Sequence, residues 1–133
     1  MVGAAAAALL ARAAPDCAVV VLDAEQPPRW NPGEEPGLRV SALSEASRRV
    51  LEACGAWEEI AAARISPYRS MRVWDGEVPA GGPGAIRFDA ADVAQPVLGH
   101  IVENELVRLA LRNALLRLSN VRLMDGARLA TLA

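Results

Sequence analysis

The feature that most constrains the fold is a run of strong helix formers followed by an uninterrupted apolar segment. Residues 4–14 are alanine, leucine and one arginine, and Pro15-Asp16 ends the helix that this composition predicts. Residues 18–22 read Ala-Val-Val-Val-Leu, a pattern typical of a strand covered on both faces, as in a parallel sheet. A helix followed by such a strand forms the second half of a β-α-β unit, and we expect the first strand to precede Met1.

The rest of the chain predicts an α/β fold in which an antiparallel hairpin interrupts the alternation of helices and strands. Prolines and glycines make residues 24–38 a long loop. Ser44 is the expected N-cap of the next helix, and Gly55 is its expected stop. The remaining elements are predicted by periodicity and turn residues: a short helix over 57–63, the hairpin within 69–89, the longest helix over 103–118, and strands over 121–124 and 127–132.

Charge and cysteine content exclude several classes of protein. The chain has 14 Lys+Arg against 16 Asp+Glu, a net charge of −2, which argues against a nucleic-acid binder. Cys17 and Cys54 form neither a disulfide framework nor a zinc site, and their apolar neighbours predict two buried free thiols. The single His100 cannot build a metal site alone, and no segment has the roughly 18 apolar residues that span a bilayer. Residues 1–14 lack the basic start of a signal peptide.

Two residues match the spacing of a dinucleotide-binding fingerprint. Gly3 stands at the start of the first helix, and Asp23 ends the following strand, 20 residues later. In that fingerprint the last glycine permits close packing of helix on strand, and the acid accepts hydrogen bonds from ribose hydroxyls. The first two glycines would precede Met1. An ordinary N-terminal glycine and an ordinary acidic strand end therefore stay open as the alternative.

Longer blocks of sequence carry a resemblance to a known family. Among them are Leu-Arg-Val-Ser-Ala-Leu-Ser at 38–44, Pro-Tyr-Arg-Ser-Met-Arg-Val-Trp-Asp at 67–75 and Leu-Gly-His-Ile-Val-Glu-Asn at 98–104, with shorter matches at 1–5, 21–23, 55–57 and 88–90. In this order the blocks resemble the ubiquinone-biosynthesis hydroxylases of the bacterial type, which are class A flavoprotein monooxygenases.

The resemblance implies an N-terminal fragment of an FAD-dependent enzyme that hydroxylates the aromatic ring of a polyprenyl phenol or quinol. Its fold would be a partial Rossmann-like FAD-binding domain over residues 1–133, with the first strand missing and residues 65–98 contributing to the substrate-side sheet. NAD(P)H would reduce the flavin, and other ubiquinone-biosynthesis proteins would be partners. The expected location is cytoplasmic, with peripheral contact at the inner membrane, on the matrix side in a eukaryote.

The resemblance also implies roles for particular residues. Arg39 matches an arginine that lies against the flavin, and its guanidinium could pair with pyrophosphate oxygens. His100 and Asn104 lie where the family places a polar side chain near the ribityl chain, and an N-cap role for Asn104 is equally open. Asp23 stands where the family usually has glutamate. No side chain is expected to be catalytic, because the flavin carries the chemistry. A non-catalytic nucleotide-binding module and an inactive truncated remnant are the alternatives.

Overall fold

The structure, a computed structural model, describes residues 1–131. These residues form four helices and seven strands. Their bounds, in chain order, are α1 (Val2–Ala13), β1 (Val19–Asp23), β2 (Val40–Ser44), α2 (Glu45–Cys54), α3 (Trp57–Ala63), β3 (Ser66–Tyr68), β4 (Ser70–Val73), β5 (Ile86–Asp89), β6 (Gly99–Glu103), α4 (Asn104–Leu116) and β7 (Val121–Asp125). A short 3₁₀ turn, Ala90–Val93, follows β5. The mixed α/β class predicted from the sequence is confirmed.

The strands form three separate sheets. β1 and β7 pair in parallel, with Val19 opposite Val121 and Asp23 opposite Asp125. β6 lies between β2 and β3 and is antiparallel to both. β4 and β5 form the predicted antiparallel hairpin, which is therefore confirmed. Both strands of the parallel pair end at the same edge of the sheet, so the aspartates that end them, Asp23 and Asp125, are neighbours there.

The core lies where α1 and α4 pack together, with α2 and α3 beside them. Small side chains on α1 let the two helices approach closely, since Ala8 and Ala110 are both fully buried. α4 follows its predicted apolar periodicity, and each of the two helices buries residues on one face. The buried side chains from α1 and α4 are Ala7, Ala8, Ala11, Leu106, Val107, Ala110, Leu111, Ala114 and Leu115.

The predicted ends of α2 are confirmed, whereas α4 begins differently. The Ser44 hydroxyl accepts a hydrogen bond from the Ser47 N–H, and Gly55 ends α2 with a φ of 77°, a left-handed conformation that favours glycine. The N-cap of α4 is Glu103, so the N-cap role considered for Asn104 is wrong. Asn104 is the first helical residue, and its side-chain oxygen accepts a hydrogen bond from Ser41 instead.

Other expectations need correction. The sequence did not predict β2, β3 or β6, because they form one sheet by antiparallel pairing between segments that lie far apart in the chain. Residues 127–131 form no strand, and Leu132 lies outside the described residues. Cys54 is buried as predicted, but Cys17 is exposed because it lies in the turn between α1 and β1. None of the helices within residues 1–131 is long and apolar enough to cross a bilayer.

The parallel pair is covered on one face only. α1 contacts β1 and α4 contacts β7, so Val19 is buried. The side chains that point the other way remain exposed: Val20 by 54%, Leu22 by 43% and Met124 by 38%. The expectation that β1 is covered on both faces is therefore wrong for the described residues. The apolar run reflects a face that nothing in residues 1–131 covers.

Candidate binding site

The carboxyl edge of the parallel pair carries two aspartates that face arginines of α4. Arg112 donates to both oxygens of Asp125, at 2.6 and 2.7 Å, a bidentate ion pair. Arg108 donates to Glu25 at 2.7 Å, and its Nη2 lies 4.0 Å from Oδ2 of Asp23. The Asp23 side chain is about half exposed, at 52%, and its Oδ1 accepts the Glu25 N–H at 3.0 Å. Asp23 therefore offers an accessible carboxylate beside a fixed positive charge.

The sequence did not predict roles for Arg108 and Arg112. They stand four and eight residues after Asn104, so all three lie on one face of α4, and this spacing is the signal that could have revealed them. Burial acts to lower the pKa of Arg108, but its hydrogen bond with Glu105 and the nearby carboxylates of Glu25 and Asp23 outweigh burial and raise it. Arg108 thus stays charged at any physiological pH.

The N-terminus of α1 opens onto the same concave surface as Asp23. Met1 and Ala4 line this surface together with Asp23 and Arg108. Within residues 1–131 no side chain caps the first turn of α1, and that turn contains no acidic residue. A Cβ built on Gly3 meets no atom within 4 Å. No close packing within the described residues therefore depends on glycine at position 3, and the space beside it is open.

Arg39 and Asn104 come together on a second part of the molecule. The Asn104 N–H donates to the carbonyl oxygen of Arg39 at 2.9 Å, and the Ser41 hydroxyl donates to Oδ1 of Asn104 at 2.6 Å. The Arg39 side chain is exposed and forms no ion pair with any residue in the range 1–131. Its guanidinium is free to meet an anion, while the backbone around it is fixed.

His100 lies away from this pair. Its ring meets Trp57 edge-on, with centroids 5.2 Å apart, and its Nδ1 is 3.8 Å from Glu45. Alternation along β6 puts His100 and the buried Val102 on the face that packs on the helices, whereas Glu103 points to the opposite face. Of the two residues left open by the sequence, Asn104 is the one that the structure brings next to Arg39.

Glu103 is a further residue that the sequence did not single out. Its buried carboxylate accepts hydrogen bonds from Trp30, Gly37 and Arg64. Burial acts to raise the pKa of Glu103, but these three hydrogen bonds and the Arg64 charge outweigh burial, so the pKa is lowered. The sequence could not have revealed this residue, because its partners are 39 to 73 positions away.

No family model matches the chain. The chain is 36% identical over 98 residues to a 3-demethoxyubiquinol 3-hydroxylase of Escherichia coli (strain K12), an alignment that covers 74% of the chain and 24% of that protein. It is 34% identical over 114 residues to the ubiquinone hydroxylase UbiL of Rhodospirillum rubrum, covering 86% of the chain and 25% of that protein. A mitochondrial ubiquinone biosynthesis monooxygenase COQ6 of Danio rerio is 38% identical over 82 residues, an alignment that covers 62% of the chain and 16% of that protein. The chain spans about a quarter of the bacterial relatives or less.

Proposed function

This chain is homologous to the ubiquinone-biosynthesis hydroxylases, and on that premise we propose that it forms part of the FAD-binding unit of such an enzyme. The whole enzyme would hydroxylate the aromatic ring of a polyprenyl phenol or quinol, with NAD(P)H as the reductant. The observation that carries the proposal is that the N-terminus of α1, Asp23 and Arg108 share one concave surface. The names of the relatives favour a hydroxylase over a non-catalytic nucleotide-binding module or an inactive remnant.

The residues around this concave surface fit a dinucleotide. The uncapped first turn of α1 leaves backbone N–H groups free, and the positive end of the helix dipole favours a phosphate there. The open space at Gly3 leaves room for a ligand to approach the helix. Asp23 provides an exposed carboxylate at the carboxyl end of a parallel strand, the place where such sheets bind ribose hydroxyls.

Each proposed residue would bind or orient a different part of FAD. The first turn of α1, including Gly3, would bind the pyrophosphate, and Asp23 would accept hydrogen bonds from the adenosine ribose. The guanidinium of Arg39 would pair with pyrophosphate oxygens. Asn104 would hydrogen-bond the ribityl chain, with His100 as the second candidate. When bound, FAD supplies the redox chemistry that activates oxygen.

The proposed architecture is a partial Rossmann-like unit with a substrate-side hairpin. The parallel pairing of β1 with β7 and the packing of α1 on β1 support the Rossmann-like part. Among the strands within residues 1–131, β1 pairs with β7 alone, so a further parallel strand could pair with its other edge. Within residues 65–98, the apolar side chains on the β4–β5 hairpin would face the polyprenyl side of the site. The apolar substrate favours contact of the whole enzyme with a membrane surface.

The proposal is tested by following backbone amide NMR signals while FAD, AMP or NAD is added to the chain. We expect weak FAD binding, with the largest shifts in the first turn of α1 and at Asp23 and Arg39. Asp23→Asn should weaken FAD binding by about tenfold or more, since a hydrogen bond to a charged group contributes about 1.5–3 kcal/mol. Asp75→Asn is the matched control, because Asp75 caps a turn at the far end of the hairpin.

Two outcomes would contradict the proposal. Shifts with AMP and NAD that match those with FAD, and no response at Arg39 or Asn104, would favour a nucleotide-binding module without flavin. An Asp23→Asn variant that binds FAD as well as Asp75→Asn would remove Asp23 from the site. Tight stoichiometric FAD binding would instead contradict the expectation that these residues form only part of the site.

A further inference from the structure

Glu103 holds the long loop between β1 and β2 through two separate donors. Its Oε1 accepts the Gly37 N–H at 2.8 Å, and its Oε2 accepts Nε1–H of Trp30 at 3.0 Å. The residue is 8% exposed, so these bonds are shielded from water. The carboxylate thus forms hydrogen bonds with the loop near its middle and again near its end.

Arg64 strengthens this arrangement from the other side. Its Nε donates to Oε2 of Glu103 at 2.9 Å, and its Nη1 donates to the carbonyl oxygen of Glu34 at 3.0 Å. The same guanidinium lies over the Trp30 ring, 5.4 Å from the ring centroid. Glu103 and Arg64 together therefore contact the loop at Trp30, Glu34 and Gly37.

The loop and Glu103 lead directly to the two residues proposed to hold the flavin. Arg39 follows Gly37 by two residues, and Asn104 follows Glu103 directly. The Asn104 N–H donates to the Arg39 carbonyl oxygen, so the two chain segments are joined at this point as well. We infer that Glu103 is a positioning residue. It attaches the loop formed by residues 24–38 to the β2–β6–β3 sheet and thereby places Arg39 beside Asn104.

The inference rests on the proposed function only for the ligand that Arg39 and Asn104 bind. The arrangement requires a carboxylate, because two oxygens accept from three donors. A glutamine would turn its NH₂ group toward either the Gly37 N–H or the donors of Trp30 and Arg64. Either orientation sets donor against donor, so the loop loses at least one of its attachments.

Limited digestion with trypsin measures how firmly the loop is held, because Arg29 and Arg39 are exposed residues near its middle and at its end. In Glu103→Gln we expect cleavage after both residues to become about tenfold faster, since the loop opens more often. Cleavage after Arg49 in α2 should keep its wild-type rate. The matched control is Glu59→Gln, because Glu59 also accepts a hydrogen bond from a side chain, that of Asn113 at 2.6 Å, but lies on α3. Circular dichroism of each variant is the measurement that checks whether it is folded.

Trp30→Phe provides the second variant, which keeps the Glu103–Arg64 ion pair and removes one attachment of the loop. Cleavage after Arg29 should then rise by a smaller factor than in Glu103→Gln. Unchanged cleavage after Arg29 and Arg39 in the folded Glu103→Gln variant would overturn the inference. Should that variant fail to fold, unchanged cleavage in Trp30→Phe would overturn it instead.

An FAD titration of the same proteins separates this inference from the proposed function. Faster cleavage in Glu103→Gln together with weaker FAD binding supports both. Faster cleavage, with an FAD response at neither Arg39 nor Asn104 in the wild type, retains the positioning role and overturns the flavin site. Unchanged cleavage overturns the positioning role whether or not the wild type binds FAD.

Discussion

Single residues in this chain take their roles from what surrounds them in space. Gly3 and Gly99 illustrate the point, since both are glycines near the end of an element. Gly3 has no atom within 4 Å of the place where a Cβ would be, whereas a Cβ on the buried Gly99 would overlap the carbonyl oxygen of Leu43 on β2. The requirement for glycine at 99 is therefore steric and internal, whereas no contact within residues 1–131 requires glycine at 3.

We expect Gly99→Ala and Gly3→Ala to separate stability from binding. Gly99→Ala should lower the free energy of unfolding by more than about 2 kcal/mol, because the β2–β6 backbones must move apart. Gly3→Ala should leave stability unchanged or raise it by up to about 1 kcal/mol, since alanine favours helix. The same Gly3→Ala change should weaken FAD binding. Urea unfolding and FAD titration measure the two effects, and a Gly3→Ala variant that loses stability would contradict the prediction.

Glu103 makes stability depend on pH in a definite direction. The pKa of Glu103 in the folded chain is lowered below its unfolded value, because hydrogen bonds from Gly37, Trp30 and Arg64 outweigh the effect of burial. Its contribution to stability is therefore fully present above the ordinary glutamate pKa of about 4.3 and is lost as pH falls through the lowered value. Urea unfolding between neutral and acid pH should show this loss in the wild type and a smaller one in Glu103→Gln. Parallel pH curves for the two proteins would contradict it.

At the scale of elements, one side chain joins the end of α1 to the start of β7. The side-chain Nδ2 of Asn120 lies 3.0, 3.4 and 3.0 Å from the carbonyl oxygens of Ala11, Ala14 and Cys17. The backbone carbonyl of Asn120 accepts the Val19 N–H at 2.8 Å. Its NH₂ group thus donates to the Ala11 carbonyl in the last turn of α1 and to the Cys17 carbonyl in the turn that follows. The sequence predicts only that Asn120 follows the longest helix, because the carbonyls that it reaches are 103 to 109 positions away.

Asn120→Ala should lower the free energy of unfolding by about 1–3 kcal/mol, since the carbonyl oxygen of the buried Ala11 loses its side-chain donor. The control is Asn31→Ala, because Asn31 is exposed and its side chain forms hydrogen bonds with Gly33 and Glu34 of its own loop. Chemical denaturation of the three proteins gives the comparison. Equal losses in the two variants would show that Asn120 does not join α1 to β7.

At the scale of the whole molecule, apolar surface remains exposed on the hairpin. Met71 lies opposite Phe88 and Val73 opposite Ile86, so the four side chains share one face, and they are 41%, 45%, 50% and 56% exposed. The other face carries Arg72 opposite Arg87. A two-stranded sheet of this kind gains little from its own contacts, and a continuous apolar face promotes association.

We therefore expect the chain to self-associate as its concentration rises. Replacing Ile86 and Phe88 together by lysine should reduce the association by placing charges on the apolar face. Leu116→Lys is the control, because Leu116 is 62% exposed on α4, away from the hairpin. Light scattering over a concentration series measures the effect. An equal reduction in the control would show that the hairpin face is not the contact.

The sequence by itself determined the elements whose signals are local. α1 follows from its helix formers, β1 from its apolar run, α2 from its N-cap and its glycine stop, and α4 and β7 from periodicity and turn residues. The hairpin follows from two alternating runs around a Gly/Pro turn. Family resemblance in the blocks around Asp23, Arg39 and Asn104 predicted the class of protein to which the chain is homologous.

Only the tertiary structure decided how the site is held together. It placed β6 between β2 and β3, set Arg108 beside Asp23, and buried Glu103 among donors from two distant segments. It also left Cys17 and one face of β1 exposed, against expectation. These features depend on contacts between residues far apart in the chain. A local pattern of side chains does not contain them, because burial and hydrogen bonding are fixed only when separate elements pack together.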